Sequence, residues 1–134
     1  MSRIDTRGLV VADDILLGVF AYFPGSAREF NHTREQVFDF FYKRQEKYSF
    51  LQVLFEGRDG QEGRLIAQAY STLGVCGLVG SWCSSGNAEM ENYLIHSSCQ
   101  RLFEQSVQRR FRKRALDSLR TLAREFYEAF GRRS

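Results

Sequence analysis

The amino-acid sequence predicts a mostly helical chain with one small β-hairpin, an α+β fold, and three observations predict it. Apolar residues recur at three- and four-residue spacing along most of the 134 positions. The run from Leu78 to His96 departs from that rhythm, mixing polar and apolar residues on either side of Ser84-Ser85-Gly86-Asn87, which supply turn chemistry. Finally, 43% hydrophobic residues, 12 Phe, 6 Tyr and a single Pro are enough for one real core, and the length leaves no room for a second domain.

Taken in order, the first helix is expected from Asp13-Asp14, whose carboxylates suit the positive end of a helix dipole, to just before Pro24-Gly25. Ile15, Leu16, Leu17, Val19, Phe20, Tyr22 and Phe23 leave it almost no polar side, so it is the central core helix. Thr33 with Gln36 reads as a capping box opening a second helix through Val37, Phe38, Phe40, Phe41 and Tyr42. The same pattern at Ser49 with Gln52 predicts a short helix, and at Ser97 with Gln100 another after the hairpin. A helix over about 62–76 places Leu65, Ile66, Ala69, Leu73 and Cys76 on one face, and Gly77 ends it as a left-handed residue. Beyond Ser97, Leu102, Phe103, Val107 and Phe111 form one stripe, and Leu116, Leu119, Ala123, Phe126 and Phe130 form another. Two helices meeting near Arg112 to Arg114 are expected, with a single long helix as the alternative.

Several helices followed by a hairpin is the order of a winged helix-turn-helix, here with a C-terminal helical extension. The division is a winged-helix core over 1–96 and amphipathic basic helices over 97–134 packed on it. Charge divides the same way: residues 1–96 carry a net −3 and residues 97–134 a net +6. Three cysteines, Cys76, Cys83 and Cys99, make an odd set without a CxxC pair, and no signal-peptide pattern opens the chain, so a reducing cytoplasm is the expected setting. No apolar run approaches the roughly 20 residues that span a bilayer, and no membrane role is expected.

Candidate sites follow from chemistry and spacing. In a DNA-reading winged helix, Arg64, Gln68, Ser71 and Thr72 would form the outward face of a recognition helix. Ordinary solvated positions are the favoured reading, because one Arg beside Asp59 and Glu62 is a poor phosphate binder. Arg109, Arg110, Arg112, Lys113 and Arg114 are a stronger electrostatic footprint for phosphates or an acidic protein, with Arg109, Arg112 and Lys113 expected on one helical face. Solvation or pairing with Glu104, Asp117 or Glu125 is the plainer alternative. Trp82 in the wing reads as a packing residue or as a contact anchor. Cys76, Cys83, Cys99, His32 and His96 lack the short spacings of a zinc site, so the thiols are expected to be buried and structural. Ser84, Ser85, Ser97 and Ser98 have no nucleophile elbow, and Gly57, Gly60 and Gly63 follow no strand as a phosphate loop would. Neither an enzyme nor a cofactor is expected.

The run from Leu65 through Leu73, then Cys76-Gly77-Leu78-Val79, the hairpin and the Phe-rich helices resembles winged-helix components of bacterial multi-gene systems. In particular it is similar to the small middle components between an ATPase and an effector in anti-phage operons, over roughly residues 13–130. The resemblance implies a non-catalytic adaptor that joins larger subunits and transfers no site residues. The expected function is thus an accessory binding module with a larger protein subunit as partner; a DNA-binding regulator using 62–76 and the wing is the alternative. Homo-oligomerisation is left open.

Overall fold

The computed structural model describes residues 10–26, 28–84 and 87–132. Helix α1 (Ala12–Ala21) is buried from Asp14 to Ala21, as its near-continuous apolar sequence requires. It starts at a cap in which the Val11 N–H donates to the Asp14 carboxylate (3.1 Å). Strand β1 (Glu29–His32) follows, then α2 (Arg34–Tyr42), whose Thr33–Gln36 box is formed reciprocally at 2.8 and 3.1 Å. Residues Ser49–Phe55 make 3-10 turns and lead into the short α3 (Gly57–Gln61) and then α4 (Arg64–Val75). Strands β2 (Val79–Ser84) and β3 (Asn87–Ile95) come next. Helix α5 (Ser98–Leu102) runs through a π turn (Phe103–Val107) and a 3-10 turn (Gln108–Arg110) before α6 (Lys113–Phe130).

The architecture is α+β, with helices packed on a three-stranded antiparallel sheet of order β1-β3-β2. The hairpin is therefore not alone. Glu29 to His32 pair with Leu94 to Glu91, a strand that Phe-Asn-His is too short to announce by alternation. The hairpin register runs Val79–Ile95 to Cys83–Glu91, with a bulge between Cys83 and Ser84. Of the expected turn, Ser85 and Gly86 lie outside the described residues.

Two expected caps are absent. At Ser49 the turn instead begins at Tyr48, whose hydroxyl donates to Glu125 (2.6 Å) and whose burial fixes where the chain turns. Ser97 already has helical φ and ψ, so it cannot offer the extended backbone that capping needs, and the Ser98 N–H bonds His96 Nδ1 (3.1 Å). Helix α4 begins two residues later than expected, after Gly63 at φ +79. It ends in a Schellman motif: the Leu78 N–H reaches the Leu73 carbonyl (2.9 Å), the Gly77 N–H reaches Gly74 (3.0 Å), and Gly77 has φ +76. On its inner face Ile66, Ala69 and Leu73 are buried, whereas Leu65 is half-buried and Cys76, at the cap, is exposed. Cys83 is exposed as well, so burial of the thiols holds for Cys99 alone.

The C-terminal chain forms two helical stretches, not one, because Phe111 and Arg112 are extended between them. Both stripes are core: Phe103, Val107 and Phe111 are buried from the first, and Leu119, Ala123 and Phe126, with Leu122, from the second. Leu102 faces solvent at 37% exposure. Helix α6 crosses α1 at Gly18, where a Cβ would stand 2.3 Å from Leu119 Cδ2 and 3.0 Å from Phe103 Cε1. Its other side holds the segment after α2: Glu125 accepts from Arg44 Nε (2.7 Å), Lys47 Nζ (2.6 Å) and the Tyr48 hydroxyl. Burial opposes ionisation of that carboxylate, yet the three donors outweigh it and hold its pKa at about 2.

Gly18→Ala should destabilise the chain by about 1–3 kcal/mol in urea unfolding, although alanine is the better helix former, because fully buried Leu119 has no room to withdraw. An unchanged midpoint would mean α1 and α6 are not in close contact. The depressed pKa of Glu125 makes its contribution complete above about 4.5 and progressively lost as pH falls toward about 2. Glu125→Gln should remove that acid-limb dependence and destabilise by about 1–3 kcal/mol at neutral pH.

Candidate functional site: the groove beside α4

Helix α4 carries the residues that would face DNA. Arg64, Gln68, Ser71 and Thr72 are all exposed and share one side of the helix. Arg64, however, is held by Asp59 (Nη1 to Oδ1, 3.3 Å) and Glu62 (Nη2 to Oε1, 3.5 Å). The one cation of this face therefore stands among carboxylates. Gln68 lies at a shallow depression with Asp13, Val53 and Glu56, while Ser71 belongs to the wall of a much larger groove.

That groove has a volume of about 1190 Å³ and lies between the start of α2, the flank of α4 and the β2–β3 hairpin. Small-molecule sites are usually ~300–1,000 Å³, so its size suits a segment of macromolecule better than a metabolite. Phe38, Ile66, Ala67 and Val79 supply apolar surface. Its charged lining is one cation, Arg34, against four carboxylates, Glu35, Asp39, Glu62 and Glu91. Two of the four are already paired from outside the lining, Asp39 with Lys43 (3.5 Å) and Glu62 with Arg58 (3.6 Å) and Arg64 (3.5 Å), so the groove is acidic through Glu35 and Glu91 against Arg34.

A polar chain that the sequence reading did not single out forms the floor. His32 is 2% exposed; its Nδ1 lies 2.9 Å from the Thr33 carbonyl and its Nε2 lies 2.8 Å from the Tyr70 hydroxyl. Because a carbonyl can only accept, Nδ1 carries the proton and Nε2 accepts from Tyr70. Tyr93 stacks beside His32 (4.9 Å between centroids) and donates to Glu91 (3.2 Å). Burial pushes His32 down to about 4, despite backbone hydrogen bonds that favour its charged form, and raises Tyr70 and Tyr93 above the ordinary phenol range with the help of the Glu91 charge. Both ring nitrogens of His32 are occupied, so this chain is a satisfied wall and offers no free base.

The basic cluster is dispersed by the corner at Phe111. Arg110 turns inward and donates through Nη1 to both oxygens of buried Asp14 (3.0 Å each), where it is a structural pin. Arg109 lies in the preceding turn, and Arg112, Lys113 and Arg114 open α6, all exposed. Arg109, Arg112 and Lys113 therefore do not share a helical face. The start of α6 has no side-chain cap and no acidic residue in its first turn. Trp82, 44% exposed, stands opposite Asn92, and 46%-exposed Leu94 is nearby on β3. Cys99 donates its thiol to the Leu78 carbonyl (3.2 Å), and burial raises its pKa to about 11. Among the described residues, no three His, Cys, Asp or Glu side chains gather as metal ligands, and no helix is long and apolar enough to cross a membrane.

Comparison of the chain with protein-family models, curated proteins and solved structures finds no match in any of the three.

Two measurements check these assignments. Since His32 takes up a proton far more readily in the unfolded chain, the unfolding free energy should fall by about 1.4 kcal/mol per unit as pH drops from 6.5 toward about 4, and urea titrations of His32→Gln should lack that slope. Arg110→Ala should lose about 1–3 kcal/mol by stranding Asp14, whereas Arg109→Ala should stay within about 0.5 kcal/mol; equal effects would deny Arg110 its structural role.

Proposed function

We propose that this chain is a non-catalytic winged-helix binding module that serves as an adaptor or accessory subunit of a larger protein assembly. The order of α1, β1, α2, α4, β2 and β3, with a β1-β3-β2 sheet, is compatible with a winged helix, α4 standing in the recognition position and β2–β3 as the wing. The observation that carries the protein-binding reading is the charge around α4. Its lone Arg64 is paired with Asp59 and Glu62, and the groove along its flank has four carboxylates to one arginine. A surface for duplex DNA needs several cations there, since phosphate neutralisation supplies most of the affinity. The resemblance to middle components of bacterial anti-phage systems agrees with a subunit that joins larger proteins.

The DNA-binding regulator is kept as a second reading by one feature, the exposed Arg109, Arg112, Lys113 and Arg114 at the α5–α6 corner. Fluorescence anisotropy with labelled duplex at low and moderate salt separates the two. The adaptor reading expects no salt-sensitive binding at micromolar protein, with a protein partner recovered by co-purification. Binding that weakens steeply with salt and disappears when Arg109, Arg112, Lys113 and Arg114 are replaced by Ala would make the regulator reading primary.

A further inference from the structure

Strand β2 is an edge of the sheet, and half of its backbone is unused. The bond from the His96 N–H to the Leu78 carbonyl (2.9 Å) sets the phase of the ladder, so Leu78, Gly80 and Trp82 turn their polar groups toward β3. Val79, Ser81 and Cys83 turn theirs outward. The other side of β3 agrees: the Ile95 N–H bonds the Arg28 carbonyl (2.8 Å), so its odd-numbered residues serve β1. Among the described residues, no hydrogen bond reaches the outward groups of Val79, Ser81 and Cys83.

The opposite edge is closed. Phe30 of β1 bridges Gly131, and the Arg132 N–H donates to the Glu29 carbonyl (2.9 Å). Sheet edges are ordinarily blunted by lysine, proline or a cover. Residues Val79 to Cys83 have neither Lys nor Pro, and the bulge lies only at their end. The open edge also adjoins the acidic groove, since Val79, Gly80 and Ser81 belong to its lining together with Ser71 and Gly74 of α4.

We infer that the free edge of β2 and the groove beside it accept an extended, basic segment of a partner protein by strand addition. This rests on the adaptor reading and specifies the partner's chemistry. Backbone bonds to Ser81 and Cys83 hold the segment, Val79 being buried with its carbonyl toward Gly74 of α4, while the segment's alternate side chains fall on opposite faces of the enlarged sheet. Those on the inner face are Lys or Arg, drawn to Glu35 and Glu91. Those on the outer face are apolar and lie toward exposed Trp82. Strand addition thus reads an alternating basic and apolar pattern. Charge rejects a nucleic-acid strand from the same place.

The test pans the full-length chain, immobilised, against a phage library of random peptides of about 12 residues, followed by anisotropy titration of labelled synthetic winners. The winners should alternate basic with β-branched or aromatic residues. Methylating every second backbone nitrogen of a winner, which leaves the protein untouched, should weaken binding by about tenfold or more. Glu35→Gln with Glu91→Gln should weaken it by about tenfold, and Arg109→Ala with Lys113→Ala should leave it unchanged. Ser81→Pro, which removes one outward N–H, should abolish it. The inference is overturned if no peptide is selected, if the winners are acidic or helical in period, or if N-methylation has no effect. It is equally overturned if the edge is filled by a second copy, shown by a dimer in size-exclusion chromatography that Ser81→Pro returns to monomer. A co-purified protein held by the Arg109–Arg114 corner, with no peptide selected, would end strand addition alone; salt-sensitive duplex binding would end the adaptor reading itself.

Discussion

Everything else in the molecule depends on the aromatic cluster around Phe126. Its ring lies within 5.0–6.2 Å, centroid to centroid, of Phe20, Phe30, His32, Phe40, Phe41 and Phe130. Those neighbours come from α1, β1, α2 and α6, so one side chain near the end of the chain ties together elements drawn from its whole length. Removal of large rings from such a site typically costs about 3–5 kcal/mol, a large part of the stability of a domain this size. The C-terminal helix is thereby part of the core and not an appendage. It also explains why a histidine can be sunk among phenylalanines: the stacked Phe30 and Tyr93 both border its ring, and Tyr70 and the Thr33 carbonyl satisfy both its nitrogens.

The charge distribution acquires a physical meaning from that packing. In the C-terminal part Arg110 compensates Asp14 across the start of α1. In the other direction, Glu125 of α6 gathers Arg44, Lys47 and Tyr48. These pairs cross the chain in both senses and tie its first part to its last. Surface charge is otherwise spatially divided, with carboxylates around the α4 groove and arginines at the α5–α6 corner.

The helices were largely legible in the sequence, because burial on one or all sides leaves a periodic record: α1 between Asp13 and Pro24, α4 ending at Gly77, and the corner before α6 are all read from residue pattern. The strand β1 was not, since four residues of which three are polar alternate no more clearly than chance, and its existence is decided by pairing with β3. False capping boxes at Ser49 and Ser97 show the limit of short motifs. The hydroxyl and amide were present, but tertiary contacts of Tyr48 and His96 had already set the backbone. The groove escaped notice for a related reason. Its carboxylates, Glu35, Asp39, Glu62 and Glu91, are spread over α2, the α3–α4 turn and β3 and meet only in three dimensions, whereas the arginine run at 109–114 is conspicuous in one dimension and is then scattered by two extended residues, Phe111 and Arg112.

The asymmetry of the sheet limits valence. With β1 covered by Gly131 and Arg132, hydrogen-bonded extension of the sheet can proceed from β2 alone. A chain with two open edges can polymerise by like edge-to-edge contacts, whereas two copies joined through a single open edge would have none left to offer. Gly131 and Arg132, unremarkable in composition, thus cover the second edge that fibre growth would need.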